Sequence, residues 1–194
     1  NLSDTMQQAI AHRLLSLERL ALRWDMRGGT PRPEWEADVA RYHKDIQGYQ
    51  AITYNDPGLR VRWVFPLAGN EIVRGRYVGF ETNRRTAFEA ARKEGGARLT
   101  HAVDLIQGGR GFLAVTPVHA RGRLDGYIVG VFRFDELFDD IIPEAMAKRN
   151  AIALYDGETP VYPGAGGDNP DKENLAQETT LPAGNIRWRL RIWP

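Results

Sequence analysis

Side chains able to do acid–base or metal chemistry are few. The imidazoles are His12, His43, His101 and His119, and no two stand four apart, the spacing that puts two metal ligands on one helix face. His101 precedes Asp104 by three residues, and in a strand that spacing sends the two side chains to opposite faces, which disfavours a simple dyad. A small hydrolase or lyase using His101 and Asp104 is nonetheless the one enzyme reading these residues leave open. The serines, Ser3 and Ser16, sit in no G-x-S-x-G elbow. Gly108-Gly109-Arg110-Gly111 lacks the Lys-Ser/Thr of a phosphate loop and falls between strands, so it predicts a turn. Asp135, Glu136, Asp139 and Asp140 gather at a predicted helix start, where the helix dipole favours negative charge. The pattern calls for no metal, no catalytic residue and no cofactor.

Composition supports the same reading. The 194 residues carry 26 basic and 25 acidic side chains, a formal net charge of +1, which argues against a nucleic-acid partner. A hydrophobic fraction of 42% is enough for one sizeable core or two small ones. Cysteine is absent, which excludes zinc ribbons, thiol catalysis, iron–sulfur clusters and disulfide scaffolds. No apolar run approaches the roughly 18 residues of a membrane span, and no signal peptide is visible. The start at Asn1 and the stop at Pro194 predict a piece excised from a longer protein.

The elements that must position any site follow from periodicity. Met6, Ile10, Leu14, Leu17, Leu20 and Trp24 form one face of a long helix, with Asp4 and Gln7 at capping-box spacing and Gly28-Gly29-Thr30-Pro31 after it. A second helix follows Pro33 and carries Trp35, Val39, Tyr42, Ile46 and Tyr49. Asn55-Asp56-Pro57-Gly58 is a turn before a strand over Leu59–Phe65, and a loop runs from Pro66 to Thr82. Thr82 or Asn83 caps a short alanine-rich helix closed by Gly95-Gly96. Three strands come next, Arg98–Ile106, Gly111–His119 and Gly126–Phe134, and their short connections require antiparallel pairing. Asp135 caps a helix with Leu137, Phe138, Ile141 and Ile142. Asp156-Gly157 joins a hairpin, Gly164–Lys172 reads as a loop, and Ile186–Trp193 alternates an apolar with an arginine-bearing face. The fold class is therefore α+β.

Six blocks in register resemble the CHASE family of extracellular sensory domains. They are Arg62-Trp63-Val64-Phe65-Pro66, the helix Asn83 to Gly95, Leu99-Thr100, Leu105-Ile106-Gln107-Gly108, Phe112 to Val118, and Gly126 to Phe132 with Asp135-Glu136-Leu137. The resemblance implies a long N-terminal helix and two PAS-like antiparallel-sheet lobes. Residues 1–50 would be the helical region, 51–142 the membrane-distal ligand-binding lobe and 143–194 the membrane-proximal lobe. It further implies a periplasmic or extracellular input domain tethered by flanking membrane spans, controlling a histidine kinase or, as the alternative, a diguanylate cyclase.

Where the plant cytokinin receptors of this family carry an aspartate, this chain has Arg84, with Arg85 beside it. The reversed charge argues against cytokinins and for an anionic ligand such as an organic acid, bound through a guanidinium. Arg84 and Arg85 as solvated first-turn residues is the competing expectation. Thr100 could supply a hydroxyl, Phe112 and Ala114 share one face of their strand, and Tyr127 and Val129 share one face of theirs. These are the candidate ligand contacts, with the aliphatics equally at home as core. A homodimer is expected through the apolar stripe of the helix at residues 6–24.

Overall fold

A computed structural model describes residues 1–163 and 174–194, and the predicted Gly164–Lys172 loop lies outside the described residues. Helix α1 (Leu2–Arg27) opens with the Asn1 side chain accepting from the Asp4 amide at 2.9 Å, in place of the Asp4/Gln7 box, and closes on Gly28 in the left-handed region. Met6, Ile10, Leu17, Leu20 and Trp24 are all buried within the domain. The stripe expected to pair with a twin helix is thus already covered, and the expectation is corrected: the apolar residues that α1 leaves exposed are Leu15, Leu22 and Met26. Helix α2 (Arg32–Asp45) stops before Ile46 and Tyr49, which are buried but not helical.

The first sheet has the order β2-β1-β6-β5-β3, with β4 also pairing β5, and every pairing is antiparallel. Its strands are β1 (Ala51–Asn55), β2 (Val61–Phe65), β3 (Arg98–Leu99), β4 (Val103–Asp104), β5 (Arg110–Ala120) and β6 (Arg123–Arg133). β1 lies between β2 and β6 although no strand was expected there, its five residues being short and partly polar. The strand expected over Arg98–Ile106 is interrupted at Thr100–Ala102. Helix α3 (Thr82–Glu94) is capped by the Glu81 carboxylate, which accepts from the Asn83 and Arg84 amides, so the cap stands one or two residues before the expected Thr82 or Asn83. Helix α4 (Phe134–Ile141) follows β6 directly, and α5 (Glu144–Arg149) leads to the second sheet.

That sheet has the order β8-β7-β10-β9, again antiparallel, from β7 (Ala151–Asp156), β8 (Thr159–Tyr162), β9 (Gln177–Ala183) and β10 (Ile186–Trp193). Ile186, Trp188 and Leu190 of β10 face inward, as the alternation requires. One apolar core joins α1, one face of the first sheet and the inner face of the second; Trp188 meets the rings of Phe112, Phe134 and Phe138 at 5.1, 5.4 and 5.8 Å. The opposite face of the first sheet packs against α3 and the loop before it in a separate core containing Phe88, Leu113 and Val129.

Two hairpin side chains fasten the two sheets together. Asn185, in the β9–β10 turn, donates to the Leu99 carbonyl at 3.1 Å and accepts from the Leu99 amide at 2.7 Å, imitating a strand partner for β3. Asp156, at the end of β7, accepts from the Ala102 amide at 2.6 Å and from His101 Nδ1 at 2.9 Å. These contacts account for the break between β3 and β4, where the backbone turns its donors toward the second sheet.

Candidate ligand-binding site

Residues 51–55 put Ala51, Thr53 and Asn55 on one face of β1 and Ile52 and Tyr54 on the other. Antiparallel register sets Thr53 opposite Val129 and Val131 opposite Leu113, so these side chains share the α3 face of the sheet. Above them, the loop from Pro66 to Thr82 is pinned by the buried Asn70. Its amide donates to the Pro66 and Gln50 carbonyls at 2.8 and 3.3 Å, and its oxygen accepts from Gln50 and Gln107 at 2.9 and 3.3 Å. Arg133 holds the Gln107–Gly108 turn through both carbonyls.

These elements enclose a cavity with Thr53, Asn55, Leu113, Val129 and Val131 on the sheet side. Val61, Val73 and Val78 form one wall, and Arg84 with Leu105, Ile106 and Gln107 forms the other. About 360 Å³ is free of protein atoms when the open mouth is counted with it.

Arg84 is 3% exposed. Its Nη2 donates to the Asp104 carbonyl at 2.8 Å, its Nη1 lies 3.4 Å from Glu81 Oε2, and the guanidinium stacks 4.9 Å from the Phe80 ring centroid. Burial pulls its pKa below the usual arginine value, opposed by the neighbouring Glu81 and Asp104, and a guanidinium so placed stays a cation at neutral pH. Its Nε–H has no protein acceptor among the described residues. The arrangement is a fixed cation beside an aliphatic hollow.

The other expected contacts separate. Val129 lines the cavity, and Tyr127 lies on the same face next to it, edge-on to Phe88 at 4.8 Å. Burial pushes the Tyr127 hydroxyl pKa up, opposed by Arg92. Arg85 is exposed and donates to the Gly79 carbonyl and to Thr82, outside the cavity. Thr100 is buried, and its hydroxyl accepts from the Leu113 amide at 3.0 Å, extending the β3–β5 pairing instead of facing the cavity. Phe112 and Ala114 lie on the α1 face, opposite Phe132 and Gly130 in the register, and therefore point away from Tyr127 and Val129. The grouping of all these residues around one hollow is corrected accordingly.

Thr53, Asn55 and Gln107 also line the cavity, and apolar helical or strand periodicity does not single them out. Their signal was the polar alternation of Thr53 and Asn55 within an otherwise apolar segment. His101 pairs with Asp156, while Asp104 is exposed and ion-paired with Arg110, so the expected His101–Asp104 pair does not form. Among the described residues no three His, Asp or Glu side chains are placed to hold a metal ion, and no helix is long and apolar enough to cross a membrane.

Solved structures share this fold at low sequence identity. An extracellular ligand binding receptor from Desulfohalobium retbaense DSM5692 superposes with a TM-score of 0.74 at 16% identity, over 100% of this chain and 39% of that one. The ligand-binding domain of the Pseudomonas aeruginosa PAO1 amino acid chemoreceptor PctC, in complex with GABA, gives 0.73 at 12% identity, over 98% and 93% of the two chains. That of the Pseudomonas fluorescens chemoreceptor CtaA with L-valine gives 0.67 at 13%, over 98% and 90%. No curated protein matches the sequence. The CHASE domain family model matches residues 29–166, from the start of α2 through the β7–β8 hairpin, and the chain belongs to the CHASE domain family.

Proposed function

We propose that this CHASE domain is the extracytoplasmic input domain of a membrane-tethered receptor and binds a small organic anion in the cavity between the first sheet and α3. The observation that carries this reading is Arg84, the one charged side chain among the described residues lining the cavity. A guanidinium in an aliphatic setting pairs with a carboxylate far more strongly than one in water. The likeness to receptor domains solved with GABA and L-valine, both carboxylates, supports it. In this proposal residues 51–142 capture the ligand and residues 143–194 pass the change on, in a receptor whose output is a histidine kinase.

Isothermal titration with a panel of carboxylates tests the anion reading. Arg84→Ala is expected to weaken binding at least tenfold, because a hydrogen bond to a charged partner is worth about 1.5–3 kcal/mol. Arg85→Ala is expected to stay within twofold of the parent. Equal affinity in the parent and Arg84→Ala overturns the proposal.

We also place the homodimer contact on Leu15, Leu22 and Met26, which recur at helical spacing on the exposed side of α1. Leu22→Asp is expected to shift the protein toward monomer in sedimentation equilibrium. An unchanged distribution refutes this contact.

A further inference from the structure

The make-up of the cavity wall says more about the ligand than its charge. Among the described lining residues eight are aliphatic, three are neutral and polar (Thr53, Asn55 and Gln107), and Arg84 alone is charged. A buried ammonium is stabilised most by a carboxylate or an aromatic cage, and the described lining residues include no Asp, Glu or aromatic ring. The nearby acids are otherwise engaged. Glu81 caps α3 and pairs with Arg84, and the Asp104 side chain is 86% exposed and turned to Arg110. An α-amino acid would therefore seat its carboxylate and leave its ammonium without a counter-charge.

Asn55 supplies what the site offers instead. It is 2% exposed, its Oδ1 accepts from Thr53 Oγ1 at 2.7 Å, and its Nδ2 has no protein acceptor among the described residues. An amide so oriented donates to an oxygen of the ligand. The empty space, about 360 Å³ with the open mouth included, is an upper bound that restricts the ligand to a few carbons.

We infer that the ligand is a short aliphatic monocarboxylate without an ammonium group, carrying a hydroxyl or oxo oxygen that accepts from Asn55 while the carboxylate meets Arg84. The inference rests on the organic-anion reading above and narrows it. The test is calorimetric titration of the domain with three acids of one carbon skeleton: 2-hydroxyisovalerate, 2-oxoisovalerate and L-valine. The hydroxy or oxo acid is expected to bind at least tenfold more tightly than L-valine.

Asn55→Asp, which keeps the side-chain shape and adds a carboxylate, is expected to reverse that order, an outcome a purely structural role of Asn55 would not produce. Circular dichroism checks that the variant is folded; if it is not, the order of the three acids on the parent decides alone. Binding of L-valine equal to or tighter than its oxygen counterparts, still lost in Arg84→Ala, overturns this inference and leaves the organic-anion reading standing. Binding that is indifferent to Arg84→Ala, or no binding of any of the three at millimolar concentration, overturns this inference, and the former overturns the anion reading as well.

Discussion

Replacing Asp156 by alanine should loosen the two sheets from one another. The Asp156 side chain is 5% exposed and takes two hydrogen bonds from the other lobe, one from the Ala102 amide at 2.6 Å and one from His101 at 2.9 Å. The amide bond to an ionised acceptor is worth about 1.5–3 kcal/mol, and its loss leaves the Ala102 N–H without a partner. The His101 side chain is 61% exposed and can turn to water, so its bond adds little. The expected cost is about 2–3 kcal/mol, or about 4–12 °C in Tm for a domain of this size. Differential scanning calorimetry with the variants Asp156→Ala, Asp156→Asn and His101→Ala separates the parts. Asp156→Asn, which keeps an acceptor but not its charge, should fall between the parent and Asp156→Ala, and His101→Ala should move Tm by less than about 2 °C. A shift below about 1 °C for Asp156→Ala would refute the claim that this carboxylate fastens the two sheets.

Two further outcomes follow from packing and titration. Phe112→Ala removes a ring that is 1% exposed, stacked on Phe132 and edge-on to Trp188, so about 3–5 kcal/mol of stability should be lost in urea unfolding; a loss below about 1 kcal/mol contradicts the placement of Phe112 between the two sheets. Burial, with help from Asp125 and Asp56, pushes the Tyr54 hydroxyl pKa from its ordinary 10.0 up to about 12. A folded-state pKa above the unfolded one means the stabilisation is whole below pH 10 and is lost as the pH rises through 12. Tyr54→Phe should flatten that alkaline loss in pH-dependent urea unfolding, and an equally steep loss in the variant contradicts the assignment.

What was legible in the sequence was periodicity. The four-and-three spacing from Met6 to Trp24 located α1, and the alternation from Ile186 to Leu190 told which side of β10 is buried, because both patterns are long enough to dominate local noise. β1 escaped because Ala51–Asn55 is short and places Thr53 and Asn55 on a buried face, against the usual apolar signal. The site residues on it escaped for the same reason. Phe112 and Ala114 were correctly grouped with each other, yet which side of the sheet they occupy depends on the pairing with β6 and on where α1 lands, both long-range facts. Arg84 and Arg85 could not be told apart by position. The structure separates them through the Asp104 carbonyl, which holds Arg84 inward, and the Gly79 carbonyl, which holds Arg85 outside.

Helix α1 touches both lobes at different heights. Leu14 lies against Gly184 of the β9–β10 turn, Leu17 against Gly130 of the first sheet, and Trp24 stacks on Tyr54 at 4.7 Å. Its 26 residues span about 39 Å at 1.5 Å per residue. A rod of that length behaves as a lever: a tilt of about 3° about one end carries the other about 2 Å, a displacement of the size that helix shifts show in switching proteins. A rearrangement too slight to alter any strand pairing around Thr53 and Val129 can thus be read out as a measurable swing tens of ångströms away.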